Sequence, residues 1–382
     1  MSTASKLSLA GALALAFTAC SNPDLTTAPG TTRAAFDRAE AAGAAAAVYS
    51  ATNGAAGNEV LVFARAADGG LSAPSAFATG GQGTGGGLGN QGGVVLSGDN
   101  RLLFVVNAAS NDVSLFAVRP AGLELLDRVP SGGQRPVSVA VFRKLVYVLN
   151  AGGSGNIAGF VVSGNTLQPL ANSSRPLSSA SAGAAQVSFD PKGRVLVVTE
   201  KATNVISTYT VGSDGLATGP TVQPSVGATP FGFAFSQRGV LVVSEAFGGA
   251  PDASALSSYH VSAGGVLSVV SPSVGTTETA ACWVVITRTG RFAYTSNTGS
   301  GTITGYAIGS DGSLAVLDAD GVTATTGAGP IDLALSGNSR FLYSLDSGSG
   351  TISAFRVEGD GSLTGIADAE GLPAGSNGLA AR

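Results

Sequence analysis

The chain repeats one phrase seven times, and this repeat limits its fold more than any other feature. Each copy is a short apolar strand that ends in Asn, Asp or Glu and leads through a small polar turn into a second strand. A spacing of roughly 50 residues lies in the range of four-stranded propeller blades. We call the last residues of the seven copies the closing residues: Asn53, Asn107, Asn150, Glu200, Glu245, Asn297 and Asp346.

The segments between the copies complete a four-stranded unit. The strand after each copy alternates between apolar and small or polar residues, as at 302–308, which is the pattern of a half-buried strand. Asp-Gly pairs then occur at 68–69, 214–215, 311–312 and 360–361. Asp-Gly favours a tight hairpin in which both central residues take positive φ. A further apolar strand, such as 136–141, precedes each of copies two to seven.

The first copy has no such strand in front of it, and the chain ends in an unassigned one, Gly378–Ala381. Pairing the last strand with the first copy would close a ring and remove its exposed sheet edges. The sequence therefore predicts an all-β fold over residues 46–382. This fold is a seven-bladed β-propeller of four-stranded antiparallel blades, closed by the C-terminal strand.

Residues 1–20 resemble a bacterial lipoprotein signal peptide. Lys6 precedes an apolar run at 7–17, which is too short to span a bilayer, and the run leads into Thr18-Ala19-Cys20. We predict that Cys20 is lipidated; an ordinary secretory signal is the alternative. Lipidation would exclude a disulfide between Cys20 and Cys282, the second of two cysteines.

The stretch at 21–45 is rich in Thr, Ala, Pro and Gly and predicts a flexible tether. Together, these segments predict a protein of the bacterial cell envelope that faces the periplasm or the exterior. Its contact with the membrane would be the lipid anchor alone.

Charge and histidine content narrow the range of partners. The net charge is −4 and there is no run of Lys and Arg, so binding to nucleic acid has no electrostatic support. His260 is the single histidine, so His and Cys cannot assemble a transition-metal cluster. We expect no metal and no cofactor. The expected partner is a small molecule or an envelope protein.

The repeat at 290–314 reads Gly-Arg-Phe-Ala-Tyr-Thr-Ser-Asn, then Gly-Thr-Ile-Thr-Gly-Tyr, then Asp-Gly-Ser-Leu. It resembles the repeats of the seven-bladed lactonase family, which includes 6-phosphogluconolactonase and carboxymuconate lactonising enzymes. The resemblance covers about residues 46–382. It implies an Arg-His pair on one inner strand and a Glu at the end of the next strand. The best-matching blade has Ala185 and Gln186 at the places of the pair, while the Glu place falls on Lys201, one residue after Glu200.

Aligning the strand ends gives one equivalent position on each inner strand. We call these positions the channel ring, because they should face the central channel or lie near its mouth: Gly93, Ser138, Gln186, Gly232, Trp283, Asp332 and Gly378. Ser138, Gln186, Trp283 and Asp332 are the predicted ligand-binding residues. Glu200, Gln186 and Asp332 are the candidates for catalysis.

Each candidate also has a structural interpretation. Trp283 could pack in the core, and Glu200 and Glu245 could hold the turns that follow them by hydrogen bonds. Arg135 and Arg175 lie near inner-strand entries and are candidate anion contacts, although either could be a solvated loop residue.

Two functions stay open at this point. The missing Arg-His pair favours a lipid-anchored propeller that binds a ligand or partner at its channel mouth. The resemblance leaves a lactonase or related lyase with a rearranged site as the alternative. A convergence of acidic and basic side chains at one mouth would favour the enzyme.

Overall fold

The computed structural model describes residues 46–382, which form thirty strands in seven antiparallel sheets. Each sheet is one blade, numbered here by its closing residue. Blade 1 contains β1 (Ala47–Ala51), β2 (Glu59–Ala64) and β3 (Ser75–Ala78). Blade 2 contains β4 (Val94–Leu96), β5 (Leu102–Asn107), β6 (Asp112–Arg119) and β7 (Gly122–Pro130). Blade 3 contains β8 (Gln134–Phe142), β9 (Leu145–Gly152), β10 (Asn156–Ser163), β11 (Thr166–Pro169) and β12 (Arg175–Pro176).

The remaining blades repeat this arrangement. Blade 4 contains β13 (Ala184–Phe189), β14 (Val195–Glu200), β15 (Val205–Val211) and β16 (Ala217–Pro224). Blade 5 contains β17 (Pro230–Phe235), β18 (Val240–Glu245), β19 (Ala255–Val261) and β20 (Leu267–Gly275), with a 3₁₀ turn at Phe247–Gly249. Blade 6 contains β21 (Ala281–Ile286), β22 (Phe292–Asn297), β23 (Thr302–Ile308), β24 (Leu314–Val316) and β25 (Ala324–Thr325). Blade 7 contains β26 (Pro330–Leu335), β27 (Phe341–Asp346), β28 (Thr351–Val357) and β29 (Leu363–Glu370), and β30 (Asn377–Ala381) ends the chain.

The predicted ring closure is confirmed. The strand order of the first sheet is β3-β2-β1-β30, so the C-terminal strand is the inner strand of blade 1. Tyr49 is paired with Ala380, and Ser50 with Leu379. The first and last strands thereby satisfy each other's backbone groups, which an open ring would leave as exposed edges.

The apolar core lies between neighbouring blades. One cluster, for example, joins Val137 and Tyr147 of blade 3 to Leu196 and Tyr209 of blade 4. Each blade is buried on both faces, which explains why β14, β18 and β27 are buried along their whole length. Burial on both faces makes every blade depend on two neighbours.

The Asp-Gly turns join the last two strands of a blade and contact the neighbouring blade, and here the prediction of positive φ at both residues is wrong. Only the glycine is left-handed, with φ of 96° at Gly361. The aspartate instead makes an Asx turn, in which Asp360 Oδ1 accepts the Ser362 N–H at 3.0 Å. The Gly361 carbonyl accepts the Tyr294 hydroxyl of the preceding blade at 2.7 Å.

A β-bulge opens six of the seven inner strands. The register shifts after the first paired residue of β13, β17, β21, β26 and β30, and after the second paired residue of β8. A bulge leaves one residue out of the ladder and re-aims its neighbours. In this fold it lies immediately beside the channel ring.

The predicted signal peptide at 1–20, the tether at 21–45 and the lipidation site at Cys20 all lie outside the described residues. Within residues 46–382, no helix has the length and apolar character needed to cross a membrane. The Cys282 side chain is completely buried in the core.

Candidate binding site in the central channel

The side chains of the channel ring connect successive inner strands. Ser138 Oγ accepts the Val187 N–H of the next blade at 3.1 Å. Gln186 forms a two-point contact with Phe233 one blade further on: its Oε1 accepts the N–H at 2.7 Å and its Nε2 donates to the carbonyl at 3.0 Å. These backbone groups lie beside the bulges and would otherwise be left without partners in a buried place. Ser138 and Gln186 therefore have a structural task, whatever else they contact.

Asp332 carries out the same task between blade 7 and blade 1. Its Oδ2 accepts the Leu379 N–H at 2.9 Å, and its Oδ1 accepts the Leu333 N–H at 2.8 Å. The side chain is only 2 % exposed, and burial raises its pKa well above the usual value, although the two N–H donors oppose this shift. No basic residue within 46–382 forms an ion pair with it.

Gly232 has no side chain to continue this pattern in blade 5, and a loop supplies the missing group. Gln91, in the loop before β4, donates its Nε2 to the Val284 carbonyl at 2.9 Å and accepts the Val284 N–H at 3.2 Å. A Cβ on Gly232 would lie 2.2 Å from Gln91 Oε1, so glycine is required there. The absence of a side chain thus makes room for one from another blade.

The residues 89–92, which we call the channel plug, close the channel where the inner strands begin. The Asn90 carbonyl accepts the Trp283 indole N–H at 2.7 Å, and Asn90 Oδ1 accepts from Asn377 Nδ2 at 3.0 Å. The Gly92 carbonyl accepts the Val139 N–H at 2.9 Å. The plug therefore bonds to inner strands on several sides of the ring.

Trp283 lies against this plug. It is 1 % exposed, and its ring centroid is 5.0 Å from that of Phe231. With its N–H bonded to Asn90 and its faces packed, Trp283 has no surface free for a ligand while the plug is in place. The predicted stacking would require movement of the plug.

Beyond the plug the channel contains a cavity of about 340 Å³. Most of its lining residues are aliphatic, although slightly more of the exposed lining comes from polar atoms than from apolar atoms. Its polar side chains are Gln91, Gln186 and Asp332 at the plugged end and Ser188 further along β13. A cavity of this size with a few convergent polar groups fits a small molecule. Two of the four predicted ligand-binding residues, Gln186 and Asp332, line the cavity, whereas Ser138 and Trp283 do not.

The catalytic candidate Glu200 faces away from this cavity. Its Oε1 accepts from the Ser207 hydroxyl at 2.6 Å and from the Ser178 N–H at 3.2 Å, and its Oε2 accepts from the Ser178 and Thr203 hydroxyls. Glu245 accepts in the same way from Gly227 and Ser257. Both carboxylates hold loops by hydrogen bonds, in agreement with their structural interpretation.

The basic candidates lie in two different places. Arg135 is exposed within β8, two residues before the bulged residue Val137. Arg175 belongs to β12, which pairs with β10, the third strand of blade 3, so the expectation that it lies near an inner-strand entry is wrong. His260 is exposed on β19, away from the channel, as expected.

Lys201, which occupies the Glu place implied by the family resemblance, lies on the outer side of the plug. Its ammonium donates to the Gly89 carbonyl and lies 4.5 Å from the Phe231 ring centroid. Burial lowers the pKa of Lys201 to about 7, and the charge of Arg135 contributes to the same shift. A lysine that is partly neutral near pH 7 is unusual, and such groups cluster at functional sites.

The residues that the sequence analysis missed belong mostly to the plug. Asn90 and Gln91 lie in a glycine-rich run at 80–93, and this run was the available signal, because it interrupts the repeat between copies one and two. Within residues 46–382, no three His, Cys, Asp or Glu residues lie close enough together to hold a metal ion.

Comparisons with known proteins agree with this fold. A Bacteroides uniformis protein provisionally named 6-phosphogluconolactonase superposes with a TM-score of 0.69 at 18 % identity, over 87 % of this chain and 98 % of its own. A Lactobacillus plantarum protein gives 0.70 at 16 % identity, over 88 % and 99 %. The periplasmic gluconolactonase of Pseudomonas aeruginosa gives 0.67 at 16 % identity, over 87 % and 98 %. At these identities the likeness shows the fold.

A sequence-family match adds to the structural likeness. No curated protein sequence matches this chain. Residues 262–376, which include blades 6 and 7 and the outer strand β20 of blade 5, match the family described as Lactonase, 7-bladed beta-propeller. The chain is thus a seven-bladed β-propeller with a segment at 262–376 that matches the lactonase propeller family.

Proposed function

We propose that this propeller is a ligand-binding protein whose central channel holds a small molecule, and that it does not hydrolyse lactones. The observation that carries the proposal is the position of Asp332 at the polar end of a 340 Å³ cavity. A carboxyl group offers about four acceptor positions, and the two described contacts of Asp332 use two of them. A hydroxyl or amine of a ligand would complete the set.

The cavity wall defines the rest of the ligand. Val94, Val139 and Leu333 are among the aliphatic residues that surround the space beyond Asp332. We therefore propose a small molecule that has apolar faces and several groups that donate hydrogen bonds, as an amino sugar has. Gln186 and Asp332 contact its polar groups, while Ser138 and Trp283 support the channel ring and the plug.

The arrangement offers little to a hydrolase. Catalysis on a lactone requires a base that activates water and a cationic group that stabilises the oxyanion. Asp332 has no histidine or arginine beside it in the cavity, and both polar ends of the Gln186 amide bond to Phe233. The match at 262–376 keeps lactone hydrolysis as the competing function.

Binding and hydrolysis can be separated in one set of experiments. Trp283 is the only tryptophan and contacts the plug, so its fluorescence reports on the ligand site. We expect saturable quenching or enhancement with glucosamine, which carries both hydroxyl and amine donors. Asp332→Asn should abolish the change. Asp346→Asn is the matched control, because Asp346 is buried in the same blade and bonds to Ser344 and Ser353 outside the channel.

Hydrolysis is measured on 6-phosphogluconolactone and glucono-δ-lactone in a pH-stat. A positioned base is worth about 10²–10⁴-fold in rate, so without one the rate should equal the spontaneous rate. Saturation kinetics that disappear in Asp332→Asn, Gln186→Ala or Glu200→Gln would establish the lactonase function instead. If glucosamine and both lactones leave Trp283 fluorescence unchanged, the proposed channel site is wrong.

We also propose that the propeller is anchored in the bacterial cell envelope through lipid on Cys20. The sequence pattern at 1–20 supports this anchor, and in the envelope a small molecule or an envelope protein would reach the channel. Radioactive palmitate should label the wild-type protein and not Cys20→Ser. Equal labelling of the two proteins would contradict the anchor.

A further inference from the structure

We propose a second ligand site on the outer side of the plug, where Lys201 and Arg135 bind a small oxyanion. The site is separate from the channel cavity, because neither residue lines that cavity and the plug lies between them and it. The ligand class is a compound that carries a carboxylate or a phosphate group.

The geometry places a cation at a half-buried position with free donor capacity. The Lys201 ammonium carries three N–H donors, and its recorded hydrogen bond goes to the Gly89 carbonyl. The Phe231 ring, 4.5 Å away, covers one side of the ammonium. The remaining donors have no protein acceptor in the described part of the chain, so an anion can take them.

Arg135 supplies the second charge. It lies near the start of β8, and Lys201 directly follows β14, so the two residues lie at the same end of neighbouring blades, where the Arg135 charge acts on Lys201. Its backbone N–H donates to Asn111 Oδ1 at 2.7 Å, but within residues 46–382 its guanidinium has neither a hydrogen bond nor an ion pair. A guanidinium presents a planar fork of donors that matches carboxylate and phosphate oxygens. An anion bound by both groups would offset the repulsion between the two positive charges.

No acid of the described chain performs this task. Neither cation forms an ion pair with a carboxylate, and Glu200, the nearest acid in sequence, is turned towards Ser178 and Ser207. The pKa of Lys201 is lowered by burial and by the charge of Arg135, and no carboxylate acts on it in the opposite direction. Within residues 46–382, these two cations thus have no carboxylate counter-ion, although the net charge of the chain is −4.

A purely structural role for Lys201 as a latch on Gly89 makes a different prediction. A latch needs Lys201 and the plug but does not need the guanidinium of Arg135. The two interpretations therefore separate on an Arg135 variant, with Arg143 as the control. Arg143 is also exposed, also has positive φ, and lies at the other end of the same strand pair.

The test is labelling with pyridoxal 5′-phosphate, an anionic aldehyde, followed by borohydride and mass spectrometry. The amine attacks the aldehyde carbon, water leaves, and hydride reduces the imine to a stable secondary amine. Lys144 and Lys192 are internal controls in the same propeller. We expect labelling of Lys201 about tenfold above these two at pH 7, as a gain of roughly 1.4 kcal/mol in binding would give.

Competition identifies the ligand group. Inorganic phosphate should protect Lys201 if the site takes phosphate compounds, and gluconate should protect it if the site takes carboxylates. Arg135→Gln should reduce labelling about tenfold, by loss of one charge-assisted contact, while Arg143→Gln should leave it unchanged. Asp332→Asn should also leave it unchanged, so that failure of the channel site does not affect this result.

Three outcomes would overturn the proposal. The first is labelling of Lys201 no faster than that of Lys144 and Lys192. The second is equal protection by phosphate, gluconate and sodium chloride at one ionic strength, which would indicate screening alone. The third is normal labelling and protection in Arg135→Gln, which would leave Lys201 as a latch.

Discussion

The closing residues and the polar members of the channel ring are both buried and both occupy positions that recur with the blade period, yet their side chains are bonded to different extents. Glu245, a closing residue, accepts hydrogen bonds from Gly227, Ser257 and Ser273, all within blade 5 or its entry loop. Asp332, in the channel ring, accepts from two backbone N–H groups and faces a cavity.

This difference shows where a buried polar group has capacity for a ligand. A carboxylate that is saturated by protein donors stabilises a loop, and its removal leaves those donors without partners. A carboxylate with unused acceptor positions beside a cavity can bind a molecule that enters it. Repetition along the chain does not distinguish the two, because both positions recur with the blade period.

The largest effect is expected from opening the ring, because the closing residues and the channel ring both depend on its closure. Deleting residues 373–382 removes β30, so that β1 and the inner edge of blade 1 lose their partner. We expect loss of soluble monomer on gel filtration and a loss of cooperative unfolding, since an exposed edge promotes aggregation. A soluble monomeric deletion variant with the wild-type circular dichroism spectrum would show that closure is dispensable.

The next effect compares a closing residue with a channel-ring residue directly. Glu245→Ala should lower the free energy of unfolding by about 3 kcal/mol, because several buried donors lose their acceptor together. Gln186→Ala should cost less, about 1–2 kcal/mol, because water in the cavity can reach the Phe233 backbone. Urea unfolding measures both, with Glu245→Gln as the control that keeps one acceptor. Equal losses in the free energy of unfolding for the two alanine variants would remove the distinction between the closing residues and the channel ring.

A smaller effect should appear in the pH dependence of stability. Burial raises the pKa of Asp346 to about 6 in the folded protein, although hydrogen bonds from Ser344 and Ser353 oppose the shift. Between pH 4 and pH 6 the folded state then holds the proton more tightly than the unfolded state, so stability falls as pH rises through this window. The loss should be roughly 2 kcal/mol.

Asp346→Asn should flatten this part of the curve, because the amide does not titrate. Asparagine already closes four other blades, at positions 53, 107, 150 and 297, so the change introduces nothing foreign to the fold. Unfolding in urea at pH 4, 5, 6 and 7 checks the prediction. A wild-type stability that falls over this range no more than that of Asp346→Asn would contradict the direction of the pKa shift.

The smallest effect is expected at His260, the only histidine. It is exposed on β19 and belongs neither to the closing residues nor to the channel ring. His260→Ala should therefore change the free energy of unfolding by less than about 0.5 kcal/mol and leave ligand binding intact. Fluorescence titration and urea unfolding of the variant check this. A loss of binding would place part of the site on the outside of blade 5.

The fold followed from the repeat because burial and alternation act locally. A strand such as Val240–Glu245 is apolar on both faces because two neighbouring blades cover it, and this can be recognised from six residues. The conformation of the Asp-Gly turns could not be recognised in this way, because Asp and Gly occur both in hairpin turns with two positive φ values and in Asx turns. The Asx bond of Asp360 is decided by the length of the loop that it closes.

The site was only partly predictable. Aligning the strand ends placed Gln186 and Asp332 at the channel, because the repeat carries each blade to an equivalent position around one axis. The plug lay beyond this method, since Asn90 and Gln91 belong to no repeat and contact strands almost 200 residues away.

The sequence by itself determined that this chain folds into seven equivalent blades in a closed ring, because strand period, turn composition and repeat length are all local properties. Only the tertiary structure decided which polar side chains remain available to a ligand. Glu200, Gln186 and Asp332 all bond to groups from other parts of the chain, but Glu200 holds a loop away from the cavity, while Gln186 and Asp332 line it. Hydrogen-bond capacity is settled by neighbours in space, and those neighbours are fixed only when the ring closes.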